Sequence, residues 1–193
     1  MKNERLKGKD LINVGIFTAI YFVIVFAVSM LGYIPIFMPL LCVIVPVLGG
    51  IPFMLFLTKV KKSGMIFIMS IIMGILMLLT GMGYYSIVVG AISGIIAELI
   101  FKSGSYKNAT RAVITSGVFS IWVWGNYIPL FLNIEGYFST RQGYGQEYIS
   151  ALTSLMPAWM CPVLLGSAFI SGIFGGLLGK AILKKHFKKA GIA

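Results

Sequence analysis

Side chains able to do chemistry are few in this chain, and most of them gather in one stretch. Between residues 132 and 157 lie Glu135, Arg141 and Glu147, interleaved with Tyr137, Phe138, Tyr144 and Tyr148 and with three Gly that let the backbone turn back. Carboxylates and a guanidinium can fix the polar groups of a solute, while aromatic faces stack its flat or apolar part. Trp122, Trp124, Asn126 and Tyr127 precede this stretch, Trp159 follows it, and Tyr84 and Tyr85 stand earlier in the chain. For a lone Trp or Tyr at such a place, an interfacial aromatic belt is the simpler role. Asn126 differs, because a carboxamide inside an apolar run needs a partner that a bound solute could supply.

Bond-making chemistry is not expected. The only histidine, His186, sits in the basic tail KKHFKK, so neither a Ser–His pair nor a His-ligated metal site is available within the apolar runs. No apolar run carries two carboxylates within a helix turn, and no Gly-rich loop ends in Lys-Ser/Thr to cradle a nucleotide. Cys42 and Cys161 both fall in apolar runs, where they read as small fillers and not as a disulfide. The chain is therefore expected to be no enzyme, to need no cofactor, and to leave any ATP hydrolysis to other subunits.

The elements that must carry these residues are set by hydropathy. Of 193 residues, 59% are hydrophobic and only 11% charged, against about 25% charged in an ordinary soluble domain. A bilayer core needs roughly 20 apolar residues per helix. Six runs of that kind fit, at 10–31, 36–57, 63–80, 84–101, 109–131 and 158–183, with 132–157 left as a lid. The expectation is one all-α integral membrane domain over 1–193. The apolar run after MKNERLKGKD is too long for a signal peptide and reads as a retained first span, with Asp10 capping its first turn. Pro39, Pro46, Pro52 and Gly49–Gly50 predict a broken second span. Within the lid, Tyr148, Ile149, Leu152, Leu155 and Met156 recur at helical spacing and predict a short interfacial helix over 146–156, whereas 133–145 reads as loop.

The charge pattern orients the chain. Fifteen of the sixteen Lys and Arg lie at the N-terminus, at 59–62, at 102–111 or at 180–189, and Arg141 alone lies elsewhere. An even count of six spans puts all fifteen on one side, and the positive-inside rule makes that side cytoplasmic, with both termini there and the lid outside. The net charge of +11 is then topological and leaves little for nucleic acid, although anionic lipid or a cytoplasmic partner can read it. Glu98, the one acid within a span, has Lys102 four residues on as an ion-pair partner. Small residues at four-residue spacing (Gly15 and Ala19, Gly90 and Gly94, Ala168 with Gly172 and Gly176, Gly175 and Gly179) let helices approach closely, within the bundle or against a partner.

The strings KDLINVGIFTAIYFVIVF and GIIAELIFKSGSYKN, set in a six-span layout with cytoplasmic termini, resemble the substrate-binding subunits of energy-coupling-factor transporters. Within that group they look most like the Trep_Strep family. The resemblance implies a six-helix membrane protein that captures a vitamin or cofactor precursor at its outer face. It implies assembly with a transmembrane coupling protein and two cytoplasmic ATPases, docking through small residues of the first helix at the positions of Gly15 and Ala19. It places the substrate site at the outer ends of spans four to six, near Tyr84, Tyr85, Trp122, Trp124, Asn126, Tyr127 and Trp159, closed by a lid over 137–148. Micronutrient transport is the role this implies. A stand-alone secondary transporter or channel, and an assembly subunit without ligand, are the rival classes; the first would want ionisable groups deep in the membrane, where Glu98 alone gives poor support.

Overall fold

A computed structural model describes residues 5–139, 141 and 143–192. Among the described residues it is all helix, with no strand. α1 (Gly8–Ser29) runs into a 3-10 turn at Met30–Tyr33, and α2 spans Phe37–Leu57. α3 (Met65–Leu79) and α4 (Tyr85–Ser103) follow, joined by a tight turn in which Gly81 and Gly83 take left-handed φ values of 86° and 88°, a conformation that favours glycine. Among the described residues four helices are long and apolar enough to cross a membrane: α1 with its 3-10 extension, α2, α4, and α10 (Met160–Ile182). α3 is shorter but as apolar.

The expected fifth span, 109–131, is stepped. It comprises α5 (Ala109–Ser120), α6 (Trp122–Gly125) and α7 (Ile128–Leu132). Asn126 N–H bonds to Val123 O and Tyr127 N–H to Trp124 O, at 3.1 and 2.9 Å, so the chain tightens to 3-10 turns there. Pro129 accounts for the break between α6 and α7, because it has no N–H to give and its ring crowds the Gly125 carbonyl four residues back. Proline acts oppositely in α2, which is one uninterrupted helix despite Pro46 and Pro52. Pro46 leaves the Cys42 carbonyl without its usual helical donor, and the Ser171 hydroxyl of α10 approaches it at 3.4 Å. That hydroxyl's one proton is directed to the Ser167 carbonyl of its own helix, so Ser171 only lies beside the Cys42 carbonyl, and α2 continues without the break expected from the sequence.

Glycines set the closest helix pair. A side chain on Gly50 of α2 would meet the backbone of Gly175 in α10, and one on Gly179 would lie 2.8 Å from Met54. Gly172 and Gly176 pack in the same way on Ser120 and Ser116 of α5, and Gly94 packs on Ser70. Gly15 has nothing within 4 Å of where a Cβ would stand, and Ala19 is likewise exposed. The small residues of α4 and α10 therefore serve the bundle, whereas those of α1 face outward.

The core is aromatic. Phe53 and Phe119 stack at 4.1 Å, Tyr21 stands edge-on to Phe119, and Trp122 donates to the Tyr21 hydroxyl at 3.2 Å. The outer surface is apolar instead of polar: Ile12, Val23, Leu99, Ile170, Phe174 and Ile182 are each more than half exposed. Such a surface suits lipid and not water.

Glu98 does not stay at the surface with the exposed Lys102. It is buried and turned toward the start of α3, where its carboxylate accepts from the Ile66 amide at 2.9 Å and from the Tyr106 hydroxyl at 3.2 Å. A carboxylate on the free amides of a helix start acts as a cap. Asp10 works from inside α1, accepting from the Lys7 amide at 2.8 Å while pairing with Lys62 at 2.9 Å.

Candidate substrate-binding site

The lid folds over the end of the bundle away from the Lys-rich loops. It contains α8 (Ile134–Ser139) and α9 (Gln146–Leu155). α9 matches the helix expected over 146–156, but α8 lies where loop was expected. Asn133 starts it locally, its side-chain oxygen accepting from the Gly136 amide at 2.8 Å. Lid rings pack on one another: Phe138 with Tyr144 at 5.2 Å, Tyr144 with Tyr148 at 4.7 Å, and Tyr144 with Tyr33 at 5.8 Å.

Polar bonds latch this roof to two turns of the bundle. Tyr148 donates to the Gly32 carbonyl at 2.5 Å. Arg141 donates to the Gly81 and Tyr137 carbonyls, with its guanidinium over the Tyr137 ring at 3.6 Å. The Tyr137 hydroxyl also points at the Met82 sulfur, 3.6 Å away. Burial pushes the Tyr144 and Tyr148 hydroxyls to titrate above the usual phenol range, and it raises Tyr137 too, against the pull of Arg141.

Beneath the roof is a pocket of about 670 Å³ including its mouth. Val25, Leu41 and Val45 form its apolar wall, with Met38, Met77 and Met82 beside them. Trp122, Asn126, Tyr127, Tyr137, Arg141 and Tyr144 supply the rest of the lining. Most polar atoms there are already engaged: Trp122 donates to Tyr21, and Tyr127 donates to the Met38 carbonyl at 2.8 Å. Asn126 donates to Val123 O at 3.2 Å, but among the described residues its buried Oδ1 has no partner. A carboxamide oxygen in that state is an acceptor waiting for a donor.

The sequence-derived site residues therefore separate. Trp122, Asn126, Tyr127, Tyr137, Arg141 and Tyr144 share the pocket. Trp124 packs aside, donating to the Cys161 carbonyl at 2.9 Å, and Tyr84 stacks on Tyr85 at 4.4 Å outside the lining. Trp159 is 65% exposed on the apolar surface. Glu147 is exposed, and Glu135 lines a groove on the outer face of the lid. The wall from α1, α2 and α3 escaped sequence reading; three Met near the ends of apolar helices look like ordinary lipid-facing side chains until the bundle closes. Among the described residues no three His, Cys, Asp or Glu side chains gather to hold a metal.

The family model of a hypothetical bacterial integral membrane protein (Trep_Strep) matches residues 8–189. The chain belongs to the Trep_Strep family. That match spans every helix from α1 to α10 and most of the basic tail, so the pocket, its lid and the bundle all lie within the family's domain. No curated protein and no solved structure matches the chain.

Proposed function

We propose that this Trep_Strep protein is the substrate-capturing subunit of an ATP-driven importer of the energy-coupling-factor type. In this reading the chain crosses the membrane six times, with α3 and the stepped α5–α7 run as the two shorter spans. Both termini are cytoplasmic and the lid is outside. A vitamin- or cofactor-like molecule enters beneath the lid, and a transmembrane coupling protein with two cytoplasmic ATPases drives its delivery. The subunit itself makes and breaks no bonds.

The observation that carries the reading is the roofed aromatic pocket with one buried, unpartnered acceptor, Asn126 Oδ1. A latched lid over such a pocket suits capture, because ordering the roof excludes water and strengthens the polar contacts within. The outward Gly15 and Ala19 supply a smooth strip on α1 for a helix of the coupling protein. A stand-alone ion-coupled carrier has less support, since Glu98 is engaged as the cap of α3 and, among the described residues, no carboxylate lines the pocket.

Native mass spectrometry of the protein purified gently from its host tests this. A small molecule bound one-to-one, travelling with coupling-protein and ATPase subunits, is the expected result. A ligand-free chain that travels alone would count against it and favour the stand-alone carrier.

A further inference from the structure

The Lys-rich end of the bundle holds a second concavity, far from the lid. α11 (Lys184–Ala190) follows α10 after an interruption at Leu183, and Leu183, Phe187 and Ile192 are buried there. Gly191, at a left-handed φ of 71°, closes α11 and lets the Ile192 amide return to the Phe187 carbonyl at 3.1 Å. The resulting groove between α5, α10 and α11 has Ala109, Leu177, Ala181, Phe187 and Ile192 as an apolar floor. Lys180, Lys184 and Lys188 form its rim, and among the described residues no acidic one lines it. These three exposed lysines, one near the end of α10 and two in α11, share that rim.

The groove begins in the apolar surface. Phe174, Leu177, Leu178 and Ile182 of α10 are all about half exposed or more, and Lys180 and Lys184 stand where that surface gives way to charge. A ligand seated there meets hydrocarbon at one end and three ammonium groups at the other.

We infer that this groove binds an anionic phospholipid, with an acyl chain along Leu177, Ala181 and Phe187 and the phosphate held by Lys180, Lys184 and Lys188. Charge complementarity selects the anionic headgroup. The apolar floor selects an amphiphile over free phosphate or an acidic protein segment, neither of which has a chain to lay on it. A lipid held here would tie α11 to α5 and α10.

The test uses the full chain in nanodiscs of mixed phosphatidylglycerol and phosphatidylcholine, with lipid retention read by native mass spectrometry. Wild type is expected to keep phosphatidylglycerol in preference to phosphatidylcholine. Each of K180Q, K184Q and K188Q should weaken retention roughly fivefold, since a lysine at the membrane surface contributes on that scale. K59Q and K61Q, in the concavity on the other side of α11, should leave it unchanged. Should K180Q or K188Q fold poorly, K184Q alone, at an exposed position, decides. Equal retention of the two lipids, or unchanged retention in K184Q, overturns the inference. So does displacement of the lipid by inorganic phosphate or poly-glutamate as readily as by short-chain phosphatidylglycerol.

Discussion

The Arg141 guanidinium sits 3.6 Å from the centre of the Tyr137 ring and donates across the pocket mouth to the Gly81 carbonyl. One side chain thus joins the lid to the turn between α3 and α4. A planar fork can do both at once; an ammonium cannot. Arg141→Lys is expected to loosen the roof, by about 1–2 kcal/mol for the lost bonds and ring contact. Hydrogen exchange over the lid should rise while helix content by circular dichroism stays constant. Unchanged lid exchange would mean that the aromatic packing holds the roof unaided.

Asn126 separates stability from binding. Its Oδ1 has no partner among the described residues, so Asn126→Leu removes a desolvated acceptor and should change the unfolding free energy of the empty protein by no more than about 1 kcal/mol. Retention of the native ligand should fall tenfold or so, the scale of one buried hydrogen bond. A large loss of stability with retention intact would make Asn126 a structural residue.

Glu98→Ala should destabilise the protein by roughly 1–2 kcal/mol, because the Ile66 amide at the start of α3 loses its cap. Glu98→Gln, which keeps one acceptor oxygen, should lose less. Thermal unfolding in detergent measures the difference. Transport that stays proton-dependent in wild type but not in Glu98→Gln would reassign the residue to ion coupling.

Two glycines should behave oppositely. Gly50→Ala drives a methyl into the Gly175 backbone and is expected to cost about 1–3 kcal/mol or prevent folding. Gly15→Leu meets open space and should leave stability and ligand retention alone while abolishing copurification with the coupling protein. Unchanged complex yield for Gly15→Leu would move docking to another face.

The lid should open in alkali. Burial raises the Tyr148 hydroxyl above its ordinary value near 10 in the closed lid, so the closed form holds its proton more tightly than the open form. Closure is fully favoured below about pH 10 and is lost as pH rises above it. Ligand release and lid exchange should accelerate between about pH 10 and 11, and Tyr148→Phe, which loses the bond to Gly32, should flatten that dependence.

Much of this was legible in the residues alone. Hydropathy marked the apolar helices, since a bilayer demands length and apolar character whatever the partners. Local period placed α9, and the isolation of Asn126 in an apolar run marked it as needing a partner. Tertiary structure decided the rest. A proline's presence alone does not set its effect: α2 continues through Pro46 and Pro52, while the 109–132 run steps into separate helices, the last of them opening at Pro129. Glu98 caps a helix 32 residues away, and spacing alone offered only Lys102. Small residues at identical spacing face inward in α10 and outward in α1, because the neighbouring helices, and not the period, determine which face is covered. The pocket's wall of Met38, Met77 and Met82 exists only where three helix ends converge, a property of the packed bundle that no single segment carries.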